Sequence, residues 1–278
     1  MKHRVVSFLI VALCFLAVSC GSEVKLPVRN SAEYAEKTVE VKLPLQLKLD
    51  CENCDVEIYC WKGQDVKFEY TTSVTGRYTT EELTKKLEHF GIKALSSHRK
   101  VIFGSKYTQS SKAEGKIELR VYIPQKTESI ELSCKKGKLK IFDDVEGELA
   151  IRADILDVDI NRFDGKLNCS IKEGNVRLTA GKLSDGSSIE TGRGNIHVKA
   201  EYEPSGAYSF IAQEGLLDIF LPRDLNVAFT DDFPLEYADA ENTYGDYMEK
   251  SQSEEMLNRE EVSFRLESGI KRILITRF

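Results

Sequence analysis

Apolar residues in the middle of the chain recur in short alternating runs, broken by polar corners at a nearly constant interval. The corners are Lys136-Gly137-Lys138, Ala153-Asp154-Ile155, Glu173-Gly174-Asn175, Arg193-Gly194-Asn195 and Glu214-Gly215-Leu216, with central residues 17, 20, 20 and 21 apart. Taking each central residue as position zero aligns the units in columns. Five before the corner stand Leu132, Leu149, Cys169, Ile189 and Phe210, and three before stand Cys134, Ile151, Ile171, Thr191 and Ala212. Two after stand Leu139, Leu156, Val176, Ile196 and Leu217, and four after stand Ile141, Val158, Leu178, Val198 and Ile219. The spacing of two within each arm predicts a short β-strand with one buried face. Glycine at zero suits a backbone that needs positive φ, and Asp154 is of a type that tolerates it.

The column three after the corner holds Lys140, Asp157, Arg177, His197 and Asp218. If units stack in register about 4.8 Å apart, opposite charges become neighbours, and a cross-strand charge ladder follows. One unit cannot bury its own face, so stacking must supply the core. The fold class is therefore all-β. A β-solenoid, parallel β-helix-like, of about six rungs of ~20 residues is the first expectation. A two-sheet β-sandwich is the alternative. The absence of any Asn-Gly pair, the strongest hairpin signal, favours parallel stacking.

The stretch Leu49-Asp50-Cys51-Glu52-Asn53-Cys54-Asp55-Val56-Glu57-Ile58 fits the same columns with Cys54 at zero. It reads as the first rung, with Glu57 beside Lys140 if it stacks on the next. Cys60 falls six after the corner, in the column of Ile160, Ala180, Ala200 and Leu221.

The apolar-x-apolar-x-x-Gly-(Asn/Lys)-apolar-x-apolar units resemble the adhesin-like β-strand-repeat proteins of bacterial cell envelopes. So do the lead-in segments Ile117-Glu-Leu119-Arg-Val121-Tyr-Ile123-Pro124 and Leu217-Asp-Ile219-Phe-Leu221-Pro222. The resemblance covers about 43–70 and 116–229, with 262–278 as a closing strand. It implies a non-enzymatic envelope role, carries over no catalytic residues, and comes from a family whose members are mostly of unknown function.

Residues 71–115 interrupt the repeat. Thr79-Thr80-Glu81-Glu82 reads as a capping box, Leu83, Leu87 and Phe90 follow at helical spacing, and Gly91 suits the helix end. Short strands are expected near 92–95 and 100–103. From Asp231 to Glu261 there are eleven acidic residues against Lys250 and Arg259, a local charge of −9 that leaves the rest at +3 of the total −6. No basic face for nucleic acid is apparent.

The first residues read as a targeting segment. Lys2 and Arg4 precede an apolar run from Val5 to Ser19, and Leu16-Ala17-Val18-Ser19-Cys20 looks like a bacterial lipobox. The expected division is a signal peptide over 1–19, a linker over 20–40 lipidated at Cys20, and one β-repeat domain over 41–278. That domain carries the insertion 71–115 and an acidic excursion over 231–261. The expected place is the cell envelope, lipid-anchored, in the outer membrane if the cell has one. The expected partners are the membrane, through the lipid, and a protein or polysaccharide ligand.

Enzymatic signatures are missing: there is no G-x-S-x-G, H-E-x-x-H, P-loop or dinucleotide fingerprint. Asp157 and Asp159 are the best carboxylate candidates for a polysaccharide-cleaving β-helix, and the charge ladder accounts for Asp157. His89 and His98 read as exposed residues of the insertion. No cofactor, no metal site and no catalytic residue is expected. The C-x-x-C of Cys51 and Cys54 joins two strands and has no second pair for zinc. In an exported protein Cys51, Cys54 and Cys134 are candidates for disulfide pairing, Cys51 with either of the others.

Overall fold

The computed structural model describes residues 26–108, 112–229, 261–268 and 273–278. The signal segment, Cys20 and nearly all of the acidic excursion lie outside the described residues. Those described form a large mixed sheet that does not close, with a single helix.

The chain opens with β1 (Arg29–Val39), β2 (Leu45–Trp61) and β3 (Val66–Gly76). Helix α1 (Thr80–Leu87) leads to β4 (Phe90–Ser97), β5 (Lys100–Tyr107) and β6 (Glu114–Pro124). Two long bent strands follow, β7 (Thr127–Ile141) and β8 (Val145–Ile160), then β9 (Phe163–Glu173), β10 (Val176–Leu178) and β11 (Gly181–Leu183). The rest are β12 (Ser188–Arg193), β13 (Ile196–Lys199), β14 (Glu201–Tyr202), β15 (Ala207–Glu214), β16 (Leu217–Leu221), β17 (Val227–Phe229), β18 (Val262–Ser268) and β19 (Ile273–Arg277).

The repeat becomes two parallel ladders. Before the corner, β5, β2, β7, β8, β9, β12, β15 and β18 pair in that order. After it, β6, β2, β7, β8, β10, β13, β16 and β19 do the same. Among the described residues this makes eight rungs, where the repeat predicts about six. The additional two are built from β5 with β6 and from β18 with β19. The first comes partly from the insertion, and the closing strand expected over 262–278 is a full two-armed rung.

The first rung sits where the columns place it. Leu49 faces Leu132, Cys51 faces Cys134, Cys54 faces Gly137 and Glu57 faces Lys140. The third corner is displaced by two residues. The structure pairs Leu132 with Ile151, Gly137 with Leu156 and Leu139 with Val158, so Leu156, not Asp154, occupies position zero. A shift of two preserves which side chains face inward, so the apolar pattern alone accepts either register. The third-after column is therefore Lys140, Asp159, Arg177, His197 and Asp218. With the third corner at Leu156, Ile160 also leaves the column of Cys60.

Inward side chains of both arms merge into one core, in which Phe68, Phe103, Phe163, Phe210 and Phe264 are fully buried. One end of the ladders is covered by antiparallel strands: β4 on β5, β3 on β6, and β1 on β3. Helix α1 seals that end, with Leu83 and Leu87 buried against Val74 and Ala113. The capping box forms as expected: the Thr79 hydroxyl accepts from Glu82 N–H, and Thr79 N–H donates to Glu82 Oε2 at 2.8 Å. The helix ends earlier than predicted, at a Glu88 C-cap, and Gly91 belongs to β4. Phe90 leaves the helical pattern to pack on Tyr107 across the β4–β5 pair, with ring centroids 4.8 Å apart.

Candidate functional site: the corner and its groove

Each corner brings one rung's backbone against the next. Gly194 (φ 145°) passes so close to Gly174 that a Cβ would collide with the Gly174 carbonyl, and Gly174 (φ 135°) stands likewise over Leu156. Glycine is required twice over, by conformation and by approach.

The residue after the corner has a role that the hydrophobic pattern does not reveal. Asp157 Oδ1 accepts from the backbone N–H of Asn175 at 3.1 Å and from its side-chain amide at 3.2 Å. Asn175 Oδ1 accepts from Asn195 N–H at 2.9 Å, and Asn195 Oδ1 from Leu216 N–H at 2.9 Å. Each side chain supplies an acceptor for an amide of the following rung, which would otherwise lack one. The Gly-Asn pairs of the repeat are the visible trace of this ladder.

Position three before the corner has a complementary task. Thr191 Oγ1 donates to the Gly174 carbonyl at 3.0 Å, and Ser268 Oγ to the Gly215 carbonyl at 2.8 Å. Cys134 takes the same place two rungs before Thr191's predecessor: its Sγ lies 3.2 Å from the Lys136 carbonyl and 4.0 Å from that of Cys54.

The charge column is in register along its length, and His197 Nδ1 meets Asp218 Oδ2 at 2.7 Å. Glu57 is taken by Arg120 of β6 at 3.0 Å as well as facing Lys140. Of the two carboxylates considered for catalysis, Asp157 is committed to the corner ladder, and Asp159 lies between Lys140 and Arg177. His89 and His98 are both exposed. Among the described residues no group of three or more His, Cys, Asp or Glu is placed to hold a metal, and no helix is long and apolar enough to cross a membrane.

A groove of about 1220 Å³ runs along the first arm beside the corner. Successive rungs contribute Asp50, Ser133, Arg152, Ser170 and Glu190 to it, and Lys93 and Lys106 enter from β4 and β5. Ion pairs link its rungs: Lys135 to Glu52 at 2.7 Å and Lys172 to Asp154 at 2.6 Å. The Lys135 ammonium holds the Glu52 carboxyl below the usual carboxylate range. Asp154 thus serves the groove, which is the physical content of its not being the corner residue.

All five described cysteines are free thiols. Burial pushes the Cys60 and Cys134 thiols up to about 11 and the fully enclosed Cys169 up to about 12. Cys51 and Cys134 border the groove, but both are buried in the core, as is Cys54. Cys20, the expected lipidation site, is outside the described residues.

No protein-family model matches the chain, and no curated protein does. Among solved structures, it is similar to a "putative cell adhesion protein" from Clostridium sporogenes, 13% identical, covering 89% of this chain and 100% of that one at a TM-score of 0.35. A "putative adhesin" from Parabacteroides distasonis is 9% identical, covering 88% of this chain and 97% of that one at a TM-score of 0.41. A "putative lipid binding protein" from the same species is 9% identical, covering 88% and 96% at a TM-score of 0.35. At such identities and TM-scores no function passes from these structures to this chain.

Proposed function

We propose that the chain is a β-solenoid, anchored in the cell envelope by lipid on Cys20, and that it acts as a non-enzymatic, adhesin-like or scaffolding module. The observation that carries this reading is the groove. It crosses the rungs of β2, β7, β8, β9, β12 and β15, a run of about 24 Å at ~4.8 Å per strand. An open, elongated surface of this kind suits an extended polymer or a partner's surface better than a small substrate. Its charges are spread along the rungs in both signs instead of converging on one point, as an acid–base pair would. Of the candidate carboxylates, Asp157 is bonded to Asn175 of the next rung, and Asp159 stands in register between Lys140 and Arg177. The parallel ladders, each rung contacting only its neighbours, give the groove a stiff backing.

Two measurements test the reading. Metabolic labelling with a clickable palmitate analogue should mark the protein in its own cells, and Cys20→Ala should abolish the label. Purified protein carrying Arg152→Glu and Lys172→Glu should lose saturable binding to polysaccharide or protein ligands found by crosslinking on intact cells. Turnover of a polysaccharide, abolished by Asp157→Asn or Asp159→Asn, would overturn the non-enzymatic reading.

A further inference from the structure

The outward positions of the groove form two rows across the rungs, and the rows differ in how their charges are paired. The row two before the corner is neutralised within itself, Glu52 with Lys135 at 2.7 Å and Asp154 with Lys172 at 2.6 Å. The row four before the corner runs Asp50, Ser133, Arg152, Ser170 and Glu190, each in register with the next. Its last carboxylate is occupied, Glu190 Oε1 accepting from the Gln213 amide at 3.0 Å. Arg152 differs from all of these. It is exposed at the middle of its row, and among the described residues its guanidinium has no hydrogen bond and no ion pair. Its neighbours on both sides are serines, whose hydroxyls also have no partner among the described residues. Ala150 stands two residues back along β8, so a long cationic side chain rises from a bed of short ones. The groove carboxylates that are left unbonded, Asp50 and Glu214, lie on rungs two and three away.

A guanidinium presents a planar fork that matches a carboxylate. Set between two hydroxyls, it complements an acid carried on a hydroxylated ring: the fork takes the acid, and the serines exchange hydrogen bonds with the ring hydroxyls. The rest of the outward lining is polar or glycine, and the apolar residues that border the groove, such as Cys51 and Ile171, belong to inward columns. A peptide finds no apolar pocket there for anchoring side chains, whereas a hydroxyl-rich polymer can bond along the whole run. We propose that the groove binds an acidic polysaccharide, a polyuronate, with Arg152 as the residue that recognises its carboxylate, an assignment that rests on the groove being the recognition surface. Arg152 anchors one sugar unit, and Lys93 and Lys106, entering from β4 and β5, favour further carboxylates toward that end. The paired row beside it joins the rungs and adds no net charge.

The test is titration of the purified protein with polygalacturonate and with its methyl ester, in chelator so that no divalent ion bridges acid to acid. Polygalacturonate should bind saturably, more weakly as salt is raised, and the ester should bind at least about tenfold more weakly. Arg152→Ala should lose at least about tenfold in affinity for polygalacturonate. Arg152→Lys should recover only part of that loss, because an ammonium lacks the fork. Arg152 bonds to nothing among the described residues, so both variants should unfold at the wild-type midpoint. Lys85→Ala, on α1, should bind as the wild type does. Absence of polygalacturonate binding, equal binding of the ester, equal binding of poly-L-glutamate, or an affinity unmoved by Arg152→Ala would each overturn the proposal. Its failure is separable from that of the adhesin-like reading. A neutral glycan or a protein captured on intact cells, and lost with Arg152→Glu and Lys172→Glu, would remove the polyuronate and keep that reading. Cleavage of bound polygalacturonate would do the reverse.

Discussion

Asn195 carries no apolar surface and no charge, yet its side chain accepts the Leu216 N–H and its own N–H is accepted by Asn175. Replacing it with alanine strands one amide of the next rung. Asn195→Ala should lower stability by about 1–2 kcal/mol, read by denaturant unfolding, and Asn195→Asp, which keeps the acceptor, should cost less. Gly194→Ala meets two obstacles at once, a φ of 145° and the Gly174 carbonyl, and should cost about 2–3 kcal/mol in the same assay. The sequence exposes these two positions unequally. A glycine recurring at a corner announces a special backbone. An asparagine's hydrogen bond to the next rung leaves no trace in an alternating apolar pattern. The same blindness explains the displaced third corner. Ile151 and Ala153 lie in the inward columns as comfortably as Leu149 and Ile151, because parity is all that a period of two can fix. What distinguishes the registers is Asp157, which can cap Asn175 only from the position after the corner.

At the scale of elements, the helix was legible because its signal is local. Thr79 and Glu82 mark its start, and Leu83 and Leu87 mark its buried stripe. Glu82, bonded to Thr79, has its carboxyl pKa lowered, chiefly by the Thr79 backbone N–H. A lowered folded-state value means that this contribution is present above the ordinary carboxylate value of 4.5 and is lost as pH falls through the folded value. Hydrogen exchange should therefore show α1 amides losing protection on acidification before those of β7 and β8, and Glu82→Gln should flatten that pH dependence. Leu83 is fully buried beneath the helix. Leu83→Ala should cost about 2–4 kcal/mol and loosen the covered end while leaving the distant β16–β19 pairing protected. The rung formed by β5 and β6 was not legible as a rung. Its arms are separated by residues 108–113 and carry no corner glycine, so β5 reads as part of an insertion. It is recruited by the long β2, whose outer edge would otherwise lie open.

For the whole molecule, the repeat predicts the all-β class and the stacking of like columns, because a small unit with one apolar face has no other way to bury it. The groove was beyond the sequence. It is made of positions two and four before the corner, which differ in type from rung to rung, and of lysines from the β4–β5 pair. Arg152, Lys172 and Lys106 come together only once the rungs are stacked. Its rung-to-rung ion pairs lie at the surface, where each contributes about 0–1 kcal/mol. Reversing Lys172 should thus move the unfolding midpoint little while changing ligand binding, a separation that marks a recognition surface apart from a structural one. The fold depends on the parallel stacking in these registers, and methyl–methyl nuclear Overhauser contacts in selectively labelled protein test that stacking most directly. It predicts one continuous chain of contacts from Leu139 to Val158, Val176, Ile196 and Leu217. A pattern of antiparallel contacts between consecutive arms, or a chain that joins Leu139 to Leu156 in place of Val158, would contradict it.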